Sequence, residues 1–265
     1  MRSGPSVSYI LPVHNEEKIL RSTVAALLER LSTSPGSEVI MVENGSTDSS
    51  PALVRRLEAE LGGGIVAVLA ATSAKGFGNA LRRGMELAGG DLVMLTAADL
   101  PFGFSDLDAA LELHDRPPVV VGSKGHAQSV VAASLLRRVM SFGFRLLRHA
   151  ALGLRVRDSQ GTILVERGLL ATLRPSLESD DYLLSTELIT LAARKGAAVV
   201  EVPVVYDAPR SDSRIRPVRD SLRMAAGILA LRRRLRSAPA LRPGDRTPLP
   251  APSGAPDAEF LGASA

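Results

Sequence analysis

The chain has 265 residues, 45% of them hydrophobic, enough to bury one substantial core and too few for two full domains. It has no cysteine, which excludes a disulfide framework and a thiolate-held metal and fits a reducing compartment. The formal net charge is +4 and nearly all the positive charge is arginine, since only Lys18, Lys75, Lys124 and Lys195 are lysines, and 3% aromatic content without tryptophan argues against a nucleic-acid platform, which would set stacking rings between its basic residues.

Residues 1–8 lack the apolar run of a signal peptide, and no stretch approaches the ~20 apolar residues of a bilayer span. Short β-branched runs then alternate with helical patterns: strand 7–11 and helix 16–31, strand 38–42 and helix 50–61, strand 65–69 and helix 76–88, strand 91–96 and helix 105–114, then strand 119–122. This alternation predicts an α/β fold, Rossmann-like, with a mainly parallel central sheet flanked by helices. Residues 130–157 form a long basic amphipathic helical pattern. Strand 162–165, helix 185–194 and strand 198–202 follow, then a second basic amphipathic segment at 218–236. Residues 237–265 are rich in Pro, Ala, Gly and Ser and are expected to form a disordered tail.

Ligands of such sheets bind beyond the carboxyl ends of the strands. There the sequence places polar clusters. His14-Asn15-Glu16-Glu17 follows the first strand, and the pattern predicts Asn15 as a helix cap with both glutamates in the first turn, a reading that capping alone explains. Glu43-Asn44-Gly45-Ser46-Thr47-Asp48 follows the second strand. Asp48 can cap the next helix there, and a strand-end carboxylate can instead accept from a base N–H or ribose hydroxyls. Lys75-Gly76-Phe77-Gly78-Asn79 opens a helix, where backbone N–H groups and an ammonium make a place for phosphate oxygens. It is neither a P-loop nor a dinucleotide fingerprint, which disfavours a Rossmann oxidoreductase. Asp99 follows the fourth strand, where one carboxylate can hold a divalent cation if substrate phosphates and water supply the remaining ligands, or can simply be a turn residue. Gly122-Ser123-Lys124-Gly125-His126, Arg157-Asp158-Ser159-Gln160-Gly161 and residues 206–214 complete the set, the last reading as an anion-binding loop or a solvated charge run.

Read in order, these clusters resemble glycosyltransferase family 2 with the GT-A fold, in the branch of dolichyl-phosphate glucosyltransferases and polyprenyl-phosphate mannose synthases. The resemblance spans about residues 7–235 and includes Glu187 and Glu201-Val202-Pro203-Val204. It implies a single domain over 1–236, with a nucleotide-sugar-binding half (7–122), an acceptor half (123–217) and a basic amphipathic helix (218–236). It implies that Pro12, Asn15, Glu16, Glu43, Asp48, Lys75 and Asp99 line the donor site, with Asp99 holding Mg²⁺ or Mn²⁺. Asp158, Gln160 and Glu187 would be the catalytic group, and Lys124, His126, Arg210, Ser213 and Arg214 would meet acceptor or donor phosphates. Three positions depart from the family pattern. Glu43 stands where an aspartate is usual, Ala97 replaces the first acid of the Asp-x-Asp motif, and Ser185 replaces an acid two places before Glu187.

The resemblance implies inverting transfer of a hexose from a nucleotide-diphosphate sugar, of the UDP-glucose or GDP-mannose type, to a polyprenyl or dolichyl phosphate. No nucleic acid is expected as a partner. The two basic amphipathic segments suit a cytoplasmic enzyme lying peripherally on the inner membrane face, or pack their apolar sides on the sheet. The competing readings are a soluble transferase for a small-molecule hydroxyl and a non-catalytic nucleotide-binding homologue, the latter motivated by Ala97 and Ser185.

Overall fold

Runs such as VSYILPV and EVIMVE are apolar at nearly every position, as expected of strands covered on both faces. In the computed structural model, which describes residues 4–130, 135–206 and 217–237, they lie inside a seven-stranded sheet. Its strands are β1 (Val7–Val13), β2 (Glu38–Glu43), β3 (Ala67–Thr72), β4 (Leu92–Leu95), β5 (Val119–Gly122), β6 (Thr162–Glu166) and β7 (Val199–Val202). Their order is β3-β2-β1-β4-β6-β5-β7, parallel except for β6, which runs antiparallel to both of its neighbours. The mainly parallel α/β sheet expected from the alternation of elements is present.

Side chains alternate between two cores, as the period of two requires. Ile10, Ile40, Val42 and Leu95 face one core with Leu81, Leu188 and Leu231. Tyr9, Leu11, Met41 and Met94 face the other with Leu27, Leu57 and Leu107. The flanking helices are α1 (Leu20–Leu31), α2 (Ser50–Leu61), α3 (Phe77–Leu87), α4 (Ser105–Leu111), α5 (Leu135–Leu152), α6 (Arg167–Leu173), α7 (Leu183–Arg194) and α8 (Pro217–Ser237).

Several boundaries differ from the sequence pattern, among them β3, which runs 67–72 rather than 65–69, and α4, which ends at Leu111 rather than 114; three of the differences have identifiable reasons. β1 continues through Pro12 because β4 pairs only with residues 7–10, so beyond Ile10 the proline withdraws no ladder donor from that neighbour. α5 stops at Leu152 rather than near Arg157 because Gly153 turns left-handed (φ 73°) and its N–H closes on His149 O at 2.9 Å. α1 starts at Leu20 rather than Glu16 because the preceding residues are spent on a cross-loop connection. The expected tail lies, from residue 238 onward, outside the described residues.

From β1 the chain goes to β2 and β3 on one side and then to β4 on the other, so the sheet reverses direction of winding between β1 and β4. That crevice, at the carboxyl ends of the strands, is where doubly wound sheets bind ligands.

Candidate active site

The loops leaving β1 and β2 are stitched together. Asn15 adopts φ 60°, a left-handed conformation that asparagine tolerates better than most residues. Its Oδ1 accepts the Thr47 N–H at 2.8 Å, and its own N–H donates to Ser46 Oγ at 3.1 Å. Asn15 therefore does not cap α1, whose N-cap is Ile19 without a side-chain bond. The Glu16 N–H donates to Ser50 Oγ at 2.9 Å, and Glu17 accepts the Ser49 N–H at 3.0 Å. The paired clusters that capping seemed to explain are one double loop.

Within it Glu43, half-buried at the end of β2, accepts the Ser46 N–H at 2.5 Å. Asp48 accepts the Ser50 N–H at 2.9 Å and the Glu17 N–H at 3.3 Å. What burial Asp48 has would raise its pKa, but the bonds from Ser50 and Glu17 outweigh it and hold the carboxyl below its ordinary value. Gly45 (φ 86°) lies against the stem of Lys75, whose Cβ is 3.4 Å from where a Gly45 side chain would start. Asn44 Nδ2 donates to Gly76 O at 3.4 Å. Glu43, Asp48 and Lys75 thus belong to one connected rim. The turn carrying Asp99 leaves β4 at the same edge of the sheet and is tied to α1 by Thr23 Oγ1 donating to Ala98 O at 2.8 Å. Leu100 follows with φ 44°, an unusual conformation for a branched residue. Pro12 is buried in β1 opposite Val42.

The glycine-rich turn has a different role from the one its sequence suggests. The Gly78 and Asn79 N–H groups at the start of α3 donate to Asp180 O at 2.9 and 3.4 Å, so they are not open to a phosphate. Gly76 has φ 136°, and a Cβ there would strike the Asp180 carbonyl oxygen; one on Gly78 would lie 2.5 Å from Ser179 O. Both glycines admit the backbone of residues 179–181. Lys75 alone of this segment keeps a cation at the rim.

On the other side of the crevice Asp158 organises two loops. Its oxygens accept the Gln160 N–H at 2.8 Å and the Lys124 N–H at 3.2 Å. Glu201 of β7 accepts the N–H groups of Arg157 and Asp158 at 2.9 and 3.0 Å. Gln160 Nε2 donates to Tyr182 O at 3.3 Å. Lys124 Nζ sits 5.6 Å from the Tyr206 ring centroid and 6.0 Å from that of Phe102, a cation–π setting. His126 Nδ1 accepts the Gln128 N–H at 3.3 Å. Arg210, Ser213 and Arg214 lie outside the described residues.

Glu187 stands apart from these loops. It is fully buried in α7, accepts the N–H groups of Glu178 and Ser179, and pairs with Arg234 of α8. Three groups beneath the site had no distinct sequence signal. Arg148, read as part of a basic surface, is 2% exposed and donates to Arg157 O at 2.9 Å. Burial lowers its pKa, opposed by the charges of Asp158 and Glu201. Glu201 stands out in the sequence only as part of the run Glu201-Val202-Pro203-Val204. Asp106, at the start of α4, accepts from Thr162 Oγ1 at 2.5 Å and from the Leu107 N–H at 2.8 Å. The spacing Gly76-x-Gly78 was the one available hint of a close backbone approach.

Burial raises the Asp106 pKa, only partly offset by those two bonds. A raised carboxyl pKa means the folded chain keeps a proton that the unfolded chain has released. Stability is therefore expected to fall as pH rises from the ordinary aspartate range through the folded value. Urea unfolding of wild type and Asp106→Asn across that window checks this: wild type should lose stability relative to the variant as pH rises, and parallel curves would refute it.

The sequence model described as Glycosyl transferase family 2 matches residues 8–170. Glycosyltransferase AglD of Haloferax volcanii is 30% identical over 233 residues, covering 86% of this chain and 37% of that protein. Dolichyl-phosphate beta-glucosyltransferase of Saccharomyces cerevisiae is 23% identical over 248 residues, covering 85% and 74%. This chain thus spans about a third of AglD and about three quarters of the yeast protein. Among solved structures, glucosyl-3-phosphoglycerate synthase of Mycobacterium tuberculosis, crystallised with Mn²⁺, UDP and phosphoglyceric acid, superposes with a TM-score of 0.61 at 22% identity, covering 87% of this chain and 78% of that one.

Proposed function

Because this chain belongs to glycosyltransferase family 2, we propose that it moves a hexose from a nucleotide-diphosphate sugar to a polyprenyl or dolichyl phosphate, with inversion at the anomeric carbon. The donor would lie across the β1–β4 crevice. Glu43 and Asp48 would meet base and ribose, Lys75 and Asp99 would face the diphosphate, and Pro12, Asn15 and Glu16 would form the floor and wall. Among the described residues no three His, Asp or Glu side chains gather into a metal-holding group. A Mg²⁺ or Mn²⁺ ion at Asp99 would therefore take its other ligands from donor phosphates and water, an arrangement that suits magnesium. Bound there, the ion would neutralise charge on the departing diphosphate.

One observation favours a phosphate acceptor over a hydroxyl. Glu187 is locked in a buried ion pair and is not placed to act as a general base, which leaves Asp158, with one backbone N–H already on each oxygen, as the one carboxylate of the expected catalytic group that a hydroxyl acceptor could use. A phosphate is an anion at neutral pH and attacks without deprotonation, whereas a hydroxyl needs a base. Lys124 and His126, on the loop after β5, are the candidates to receive that phosphate, together with Arg210, Ser213 and Arg214.

Peripheral attachment at a membrane surface fits α5 and α8. Phe142, Leu146 and Leu229 are exposed beside Arg145, Arg233 and Arg236, and the two helices pack on each other. No described helix is long and apolar enough to cross a membrane. The second reading is transfer to a water-soluble small-molecule hydroxyl acceptor, which needs no membrane surface.

A thermal-shift panel of UDP, GDP and their sugars, with and without Mg²⁺ or Mn²⁺, tests the donor; a ligand at about 100 times its Kd should stabilise the fold by about 2.7 kcal/mol. Transfer assays with polyprenyl phosphate and with water-soluble acceptors then separate the two readings. Product only with the soluble acceptors, and no salt-sensitive sedimentation with anionic liposomes, would sink the lipid-phosphate proposal.

A further inference from the structure

The buried pair between α7 and α8 leads back to the donor rim. The Glu187 carboxylate is 0% exposed, a position an ionised group holds only with several donors. It has three: the Glu178 N–H at 3.2 Å, the Ser179 N–H at 2.9 Å, and the Arg234 guanidinium. A second Arg234 nitrogen reaches Glu178 Oε2 at 3.1 Å. The Leu177 carbonyl accepts Arg82 Nη1 of α3 at 3.1 Å. One residue past Ser179, the Asp180 carbonyl takes the two N–H groups that open α3, and Phe77 stacks on Tyr182 with ring centroids 4.6 Å apart. Lys75 directly precedes that turn, with its stem on Gly45.

We infer that Glu187 is a positioning residue for donor binding. With Arg234 of α8 it fixes the backbone of residues 178–181, and that segment seats the Gly76–Gly78 turn from which Lys75 reaches the rim. The inference rests on Lys75 facing the donor diphosphate. A glutamine cannot serve in place of Glu187, because its one acceptor oxygen replaces two and its amide hydrogens would face the donors of residues 178, 179 and 234.

The test uses the full chain with Glu187→Gln, Arg234→Ala, Arg234→Lys and, as a control for general destabilisation, Val24→Ala in the core on the opposite sheet face. UDP and GDP affinities are measured by calorimetry, and amide hydrogen exchange is followed at Gly78 and Asn79. Glu187→Gln and Arg234→Ala should weaken binding of the preferred nucleotide about tenfold and speed exchange at both amides. Arg234→Lys should recover most of the affinity, and Val24→Ala should change neither readout. Wild-type affinity and protection in Glu187→Gln, or an equal loss in Val24→Ala, overturns the inference. Lys75→Ala separates the two claims: unchanged nucleotide affinity removes Lys75 from the donor site and the link to binding with it, while faster exchange at Gly78 and Asn79 in Glu187→Gln would leave only a structural clasp.

Discussion

Replacing Asp99 by alanine is expected to lower sugar transfer by about a hundredfold to a thousandfold, the scale of losing one principal stabiliser of charge in the transition state. With Ala97 in the place of the motif's first acid, Asp99 would be the carboxylate through which this turn holds a cation against the diphosphate, as proposed above. The turn itself should survive, because Leu100 N–H to Ala97 O (3.1 Å) and Thr23 to Ala98 O are bonds to backbone. Steady-state kinetics with Mn²⁺ and thermal unfolding check the two halves of this expectation. A companion change, Ala97→Asp, should lower the Mn²⁺ concentration needed for half-maximal rate. Transfer in Asp99→Ala within a few-fold of wild type would show that the diphosphate is neutralised elsewhere.

Gly161→Ala is expected to cost about 3 kcal/mol or more and to lower the melting temperature by on the order of 10 °C. A Cβ at this position would fall on the Gly122 carbonyl oxygen, well inside contact distance, and 3.0 Å from the carbonyl carbon. That obstacle is main chain of the adjoining strand, which cannot rotate away as a side chain can. A Cβ on Gly122 would in turn meet the side chains of Thr162 and, at 3.0 Å, Asp106. Relief therefore requires the β5 and β6 ends to part, which would move Asp158 and Gln160 from the turn just before. Transfer should fall by about a hundredfold in protein that is still folded, since displacement by ~1 Å has that effect on an aligned site. Gly143→Ala is the control: nothing lies within 4 Å of its Cβ on α5, and removal of an interior helix glycine should stabilise by about 0.5–1 kcal/mol.

Much of this architecture was legible in the linear order of residues. The alternation of β-branched runs and amphipathic helices specifies a mainly parallel sheet because each strand must be covered on both faces, and the polar clusters at Glu43, Lys75 and Asp99 each begin at or closely trail a strand end. Local patterns report local geometry, and the periods of two and 3.6 residues are local. The sequence could not report which backbone groups meet across the fold. Asn15 has the composition of a cap and bonds instead to residues 46 and 47, some 30 positions away. Gly76-Phe77-Gly78-Asn79 has the form of a phosphate cradle, yet the N–H groups of Gly78 and Asn79 are taken by the carbonyl of residue 180. Arg148 and Arg234 look like surface charge among many arginines, and only packing turns one inward beneath the Asp158 turn and the other onto Glu187. By itself, then, the sequence determined the sheet, the helices and the edge at which polar residues collect, because those follow from periodicity and burial. Tertiary structure alone decided which of those polar groups remain available for a ligand, because every buried N–H and carboxylate must find a partner and those partners lie far off in the chain.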